Sequence, residues 1–310
     1  MGNRTEKLQS ALDASVNFVT RTNPGMLEAR YVRRRDDYFI AYLSSQSGCA
    51  KACRFCHLTQ SGQTAWRDAE LAEYLEQAEQ VFAHYDWLVS QGEPKARAVH
   101  FNFMARGEVF ANRNVRERGP ELVERLSALA LSRGLVPRLK FSTIMPEEMA
   151  DVELTEIFGP YNPDVYLSLY SVDPVWRRRW MPKALPAETA LAKLARYQKL
   201  TRKIPVLHWA LIEGENDSEA DIEAICDAVR GAGLRCDFNL VRYNPYSPKQ
   251  GREPAEEVIR RAARQLEASV PGARVKVVSR VGFDVKASCG MFVPGPDRRG
   301  RVRAPEPVGA

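Results

Sequence analysis

Short apolar runs alternate along this chain with stretches whose apolar residues recur at helical spacing. The runs at 38–43, 98–103, 139–143, 165–170, 206–212, 237–243 and 275–279 read as strands. Between the first two, Leu71, Tyr74, Leu75, Ala78, Val81, Phe82, Tyr85 and Leu88 follow i, i+3, i+4, i+7 intervals, the stripe of an amphipathic helix. Val258, Ile259, Ala262, Ala263 and Leu266 repeat that pattern near the end. Ser218-Glu219-Ala220-Asp221, ahead of Ile222 and Ile225, predicts a capping box and a helix start. Strand and helix alternating over this length predict an α/β fold with a mostly parallel sheet, helices outside and functional groups at the strands' C-terminal ends. Periodicity alone does not separate a barrel from a doubly wound sheet.

The 310 residues, 45% of them hydrophobic, suffice for one large α/β domain or two small ones. The net charge of +6 and the pI of about 9.0 are compatible with a nucleic-acid partner without requiring one. Residues 1–9 are polar and charged, and no run approaches the length of a membrane span. The expectation is a soluble, cytoplasmic protein with no membrane contact. In a reducing compartment, six cysteines point to metal or catalysis instead of bridges. Residues 294–310, rich in Pro, Gly and Arg, read as a disordered tail.

Three of the cysteines are close together, in Ser44-Ser45-Gln46-Ser47-Gly48-Cys49-Ala50-Lys51-Ala52-Cys53-Arg54-Phe55-Cys56, with no fourth nearby. Iron–sulfur clusters are normally held by four thiolates. Three would leave one iron of a four-iron cluster open to a substrate, as a catalytic metal site keeps an open position. Zinc is the competing reading, but it wants a second ligand pair, and His57, adjacent to Cys56, is poorly spaced to share one tetrahedral ion with it. Cys226, on the helical stripe after Ile225, and Cys236, alternating with Phe238 and Leu240, read as structural.

Cys-x3-Cys-x2-Cys with an aromatic residue before the last cysteine resembles the signature of radical S-adenosylmethionine (SAM) enzymes. The longer run, with Gln60 and Gly62 after it, resembles the adenine-methylating RlmN/Cfr group, and the likeness runs from about Glu28 to Phe292. It implies a partial (β/α)6 radical SAM barrel with a short N-terminal extension. Residues 1–27 would be the N-terminal segment, 28–293 the core and 294–310 the tail. It implies a [4Fe-4S] cluster on Cys49, Cys53 and Cys56, and SAM as cofactor. Gly107 and Glu108 would meet the SAM amino group, although Val109 replaces the usual proline. Ser142, before Thr143, resembles a Ser-Thr-Ser-Gly turn whose last two residues are Ile144 and Met145 here. Ser168 matches a family serine, with Tyr170 at the place of a histidine. Asn244, before Pro245, matches a residue that contacts the nucleoside of SAM. Cys289, flanked by Arg280, Asp284, Ala287 and Gly290, matches the cysteine that carries the methyl group.

The implied activity is methylation of adenine C2 or C8 in RNA, ribosomal or transfer, by radical chemistry that the cofactor supplies. Its first step charges the Cys289 thiolate with a methyl group. The implied partners are RNA and a small electron donor such as a flavodoxin or ferredoxin, with the enzyme a monomer. Two departures bear on the substrate. The family's resolving cysteine, seven positions before the first cluster cysteine, is Tyr42 here, and a phenol with a pKa of about 10 neither forms a disulfide nor serves well as a base. The family's N-terminal accessory domain is also missing from the matching region. A radical SAM reaction of another type, on a nucleotide or DNA, and a zinc-stabilised nucleic-acid-binding module therefore stay open. Arg30, Arg33, Arg34 and Arg35, and Arg177, Arg178 and Arg179, are candidates for phosphate contacts or for solvated faces.

Overall fold

In the computed structural model, which describes residues 5–295, ten strands form one sheet in which neighbours in sequence are neighbours in space. An antiparallel meander opens it: β1 (Thr5–Gln9), β2 (Val16–Arg21), β3 (Met26–Arg35) and β4 (Tyr38–Tyr42). From β4 onward every pairing is parallel, through β5 (Ala98–Phe103), β6 (Val136–Thr143), β7 (Asp164–Ser168), β8 (Val206–Ala210), β9 (Asp237–Val241) and β10 (Val275–Val278). Strands β4 to β9 are the six of the expected partial barrel, and β10 and the meander extend its two edges. The tail expected at 294–310 lies, after residue 295, outside the described residues.

Helices cross between successive parallel strands. α1 (His57–Gln60) and α2 (Leu71–Ser90) join β4 to β5, and α3 (Arg113–Leu131) joins β5 to β6. α4 (Leu154–Phe158), then α5 (Pro174–Trp180) with α6 (Ala187–Thr201), then α7 (Glu219–Gly231) and α8 (Glu256–Ser269) complete the series. The predicted stripe of α2 is its buried face, with Leu71, Tyr74, Ala78, Val81, Phe82 and Tyr85 turned to the sheet. Ser218 caps α7 as a box: its Oγ accepts from Asp221 N–H at 3.1 Å while the Asp221 carboxylate accepts from Ser218 N–H. Cys226 and Cys236 are buried within the apolar core.

The parallel strands are two-faced. Phe39, Phe101, Phe141, Leu167, Trp209 and Leu240 lie in the core. The alternate residues of the same strands, Tyr42, Asn102, Lys140, Tyr166, His208 and Asn239 among them, line one cavity of about 680 Å³ on the concave side. A parallel sheet covered on both faces would read as continuous apolar runs. Polar residues at every second position instead mark the inside of this sheet as a site.

Candidate functional site

The run after β4 is fixed by its own polar residues before any cofactor is considered. Ser44 Oγ donates to Glu28 O at 2.7 Å and accepts from Glu28 N–H at 2.8 Å, and Ser44 N–H donates to Gln77 Oε1 at 2.7 Å. Ser45 O accepts from Asn112 Nδ2 at 2.7 Å. Gln46 Oε1 accepts from Glu108 N–H at 3.1 Å, so this glutamine ties the cysteine loop to the residue expected to meet the SAM amino group. Gly107 has φ +88°, and a Cβ there would fall 2.6 Å from Gln46 N, so glycine is required by conformation and by space.

Cys49, Cys53 and Cys56 follow on a loop that ends at α1, with Cys56 as the helix N-cap. Cys53 is buried and the other two are half-buried. Burial pushes the Cys49 thiol up to about 12, with the Cys56 charge adding to it, and pushes Cys53 well above the ordinary thiol range. Burial also raises Cys56, partly opposed by the N–H groups of Leu58 and Thr59. Such thiols ionise only when a bound cation compensates them. Among the described residues, no three His, Cys, Asp or Glu side chains gather around one point as a single ion requires. Zinc at about 2.3 Å from each sulfur would need that convergence. A cluster spreads its ligands over separate irons, and the three cysteines, near enough to sense one another's charge, are soft donors of the kind a cluster takes. His57 is committed elsewhere: its Nε2 bonds Asn244 O at 3.0 Å, and its backbone N–H donates to Gly290 O at 3.0 Å.

Glu108 is buried behind this loop. Its carboxylate accepts from Thr143 Oγ1 at 2.6 Å, Ile144 N–H at 3.0 Å and Phe110 N–H at 3.2 Å. Burial nevertheless pushes its pKa up to about 7. A carboxylate so placed gains from an incoming ammonium group. Met145, at the position where the resemblance has glycine, adopts φ +54°.

Ser142 and Ser168, on β6 and β7, both hydrogen-bond His208 Nε2 of β8, at 2.8 and 2.9 Å. Burial lowers the His208 pKa to about 4, so the ring is neutral and part of a hydroxyl–imidazole cluster facing the cavity. The sequence reading passed over His208. Its signal was a lone polar residue in the run 206–212, at the same inward register as the two serines.

Asn244 links the strand end to the Cys289 segment. Its Oδ1 accepts from Arg280 Nε at 2.7 Å and its Nδ2 donates to Cys289 O at 2.9 Å. Cys289 is solvent-accessible, but its surface opens into the cavity, whose walls desolvate the thiol and raise it to about 11, with Arg30 pulling the other way. Tyr42 lines the same cavity and its phenol, raised by burial, senses Cys289. Phe55, between the last two cysteines, stacks on Tyr170 with centroids 4.1 Å apart.

A buried ionic cluster anchors the segment after Cys289. The Glu28 carboxylate accepts from Arg106 Nε at 2.8 Å, Arg30 Nη2 at 2.7 Å, Asn17 Nδ2 at 2.9 Å and Val293 N–H at 3.0 Å. Arg30 donates to Met291 O and Arg106 to Val293 O, each at 2.7 Å. Arg30 is therefore a buried ion-pair member that also lines the cavity. Arg177 is likewise buried, with its guanidinium on the carbonyls of Leu169, Ser171 and Leu185. Arg33 bonds the carbonyls of Asp36 and Pro94, while Arg34 reaches the cavity.

No family model matches the chain. It is 26% identical over 285 residues to a "Probable dual-specificity RNA methyltransferase RlmN" of Synechococcus sp. (strain RCC307), covering 91% of this chain and 77% of that protein. It is 24% identical over 296 residues to the protein of the same description from Clostridioides difficile (strain 630), covering 92% and 78%. Among solved structures, a radical SAM methyltransferase from Sphaerobacter thermophilus superposes with a TM-score of 0.75 at 23% identity, over 93% of this chain and 80% of that one. Over most of its length the chain is thus similar to proteins described as RlmN RNA methyltransferases, and it shares the fold of the Sphaerobacter thermophilus protein.

Proposed function

We propose, from this kinship, that the protein is a radical SAM methyltransferase that methylates adenine in RNA, at C2 or C8, with Cys289 as methyl carrier. The observation that carries the reading is the joining of Cys289 to the three-cysteine loop. His57, directly after Cys56, holds Gly290 through its backbone and Asn244 through its ring, and Asn244 holds Cys289.

Cys49, Cys53 and Cys56 would hold a [4Fe-4S] cluster, and Gly107, Glu108, Ser142, Ser168 and Asn244 would surround SAM. When bound, these groups supply the methyl group and the one-electron chemistry that an unactivated aromatic C–H demands. The chain's own residues prepare that chemistry. The Glu108 carboxylate, already oriented by three donors, binds an ammonium group and is drawn toward its ionised form by it. The Ser142–His208–Ser168 cluster offers hydroxyls to polar groups entering from the cavity. Arg30 favours the Cys289 thiolate, the form competent as a nucleophile.

Electrons would come from a small flavodoxin- or ferredoxin-like donor, and the enzyme would work as a cytoplasmic monomer with its catalytic core in residues 28–293. No helix among the described residues is long and apolar enough to cross a membrane. The test is anaerobic reconstitution with iron, sulfide, SAM and reductant on total RNA, followed by mass spectrometry of nucleosides and of the Cys289 peptide. Methyladenosine in RNA and one added methyl on Cys289 are expected. Active enzyme whose Cys289 is never modified would sink the carrier role.

One observation favours a second reading, a radical SAM reaction of another type on a nucleotide or DNA. Tyr42 faces Cys289 where the family has a second thiol, and burial raises its phenol further above the range of a useful base. Faster turnover on RNA by Tyr42→Cys would count against this reading.

A further inference from the structure

The cavity is lined by Cys289, Tyr42 and His208 but not by Gly107, Glu108, Ser142, Ser168 or Asn244, and its wall carries polar residues to which the proposed function gives no role. Parallel pairing sets Tyr42 beside Asn102, Asn102 beside Lys140 and Lys140 beside Asp164, a row across four strands on the concave face. Asn102 is only 6% exposed, and although its side chain reaches the Tyr42 phenol, its Oδ1 has no hydrogen-bond partner. Buried amides are ordinarily satisfied, and an exception facing a cavity points to a ligand. Lys140 has no carboxylate partner among the described residues and stands 5.6 Å over the Tyr166 ring. The neighbouring carboxylates are engaged: Asp164 with Lys203 at 3.1 Å and Asp237 with Arg274. Arg138 and Lys276, also without ion pairs among the described residues, line the same cavity nearer the strands' N-terminal ends. From Cys289 inward, the wall thus runs from thiol to amide to unpaired cations.

We infer that this row reads one phosphorylated adenosine, with the Asn102 amide on the amine edge of the base and Lys140, backed by Arg138 and Lys276, on its phosphate. An amide carbonyl beside an amide N–H₂ matches the paired donor and acceptor on an adenine edge, the contact by which Asn recognises adenine elsewhere. The volume of about 680 Å³ falls within the roughly 300–1,000 Å³ of small-molecule sites. The choice of adenine rests on the function proposed above; the amide and the cations do not. The phosphate belongs either to a free nucleotide or to a residue of RNA.

Binding separates this inference from catalysis. Calorimetry on the full-length, cluster-reconstituted protein, with S-adenosylhomocysteine filling the cofactor's place, would compare adenosine 5′-monophosphate, adenosine and purine riboside 5′-monophosphate, which lacks the amine. One bidentate amide–base contact discriminates by roughly 5- to 150-fold. The monophosphate should therefore bind about tenfold or more tightly than the amine-free analogue, and Asn102→Leu should abolish that ratio. Lys140→Met should abolish the advantage of the monophosphate over adenosine and leave the amine ratio intact. Equal binding of all three ligands, or ratios untouched by their respective variants, would overturn the inference. Asn102→Ser, smaller and still polar, should also lose the amine ratio, and it serves if the leucine variant does not fold. Displacement of the monophosphate by a short RNA with an unpaired adenosine assigns the site to RNA. Tight nucleotide binding without displacement supports the site and overturns the RNA reading. Binding without any methyl transfer supports the site and overturns the methyltransferase reading.

Discussion

Replacing Glu28 by alanine tests whether the buried ionic cluster holds the C-terminal cysteine segment. The carboxylate has no exposed surface and accepts from Asn17, Arg30, Arg106 and the backbone of Val293. Without it, two guanidinium groups with 2% or less of their side-chain surface exposed would have no anion. Removing one partner of a buried pair costs about 3–5 kcal/mol, mostly for the charge left behind. At about 2 °C per kcal/mol for a chain of this length, the melting temperature of Glu28→Ala should fall by roughly 6–10 °C. Burial alone would raise the Glu28 pKa, but the charges of Arg106 and Arg30 and the bond from Asn17 outweigh it, so the folded value lies below the usual range. A depressed carboxyl contributes stability that is present above its unfolded pKa and lost as pH falls through the folded one. The deficit of the variant should therefore be full at neutral pH and shrink below about pH 4.5. Scanning calorimetry across that range is the assay, with alkylation of Cys289 as a local readout that should quicken when residues 291–293 come loose. Glu117→Ala, which breaks the exposed Arg113–Glu117 pair, is the control and should change stability by well under about 1 kcal/mol. The reasoning fails if Glu28→Ala melts like the control and alkylates like wild type.

Gly107→Ala should lose SAM binding, measured by equilibrium dialysis, because its Cβ would displace Gln46 and with it the bond to Glu108; unchanged affinity would show that the Gly107 turn does not position Glu108. His208→Gln should flatten the acid limb of stability: the folded pKa of about 4 lies below the unfolded 6.5, so unfolding takes up a proton in that window and stability rises with pH there. The slope lost should approach about 1.4 kcal/mol per pH unit, read from urea midpoints between pH 4 and 6.5, and a parallel profile would mean that His208 is protonated in the fold. Arg30→Met should move the midpoint of the pH–alkylation curve of Cys289 upward, with Arg30→Lys restoring part of the shift; identical curves would remove Arg30 from thiol activation.

The parts of this molecule legible in its sequence are those where one local rule dominated. The parallel strands, the α2 stripe and the α7 cap follow from periodicity and capping chemistry, and each appears near its expected place. The meander was missed because β3 reads Met-Leu-Glu-Ala-Arg-Tyr-Val-Arg-Arg-Arg, a charged stretch by composition. Its Glu28 and Arg30 are interior only because they pair with each other and Glu28 also pairs with Arg106, nearly eighty residues away. The cysteine run and the Gly-Glu pair were legible as motifs of fixed spacing. His208 and Asn102 were not, since each is a polar residue inside a largely apolar run, His208 alone and Asn102 with His100, and only the register across neighbouring strands aligns it with others. Asn244 was found by position, but its engagement with Cys289 and Arg280 depends on a contact spanning more than thirty residues.

The same ions that hold the cysteine segment also decide its charge. Glu28, Arg30 and Arg106 together carry one negative and two positive charges, all buried. Their backbone and amide partners, Val293, Met291, Gln63 and Asn17, are neutral. One positive charge is therefore uncompensated within the cluster, and an uncompensated buried charge is costly unless an anion shares its site. Among the ionisable groups that sense it are Cys289, through Arg30, and Cys56, through both arginines, with Tyr42 and His57 also feeling Arg30. Burial drives both thiols toward their neutral forms, and this charge opposes the drive. A thiolate at either cysteine would complete the neutralisation that Glu28 leaves half done. The Cys289 segment is thus positioned, and its thiolate favoured, by the same cluster: loss of Arg30 removes a contact to the segment and the charge that favours the thiolate together, whereas loss of Glu28 loosens the segment while leaving that charge in place.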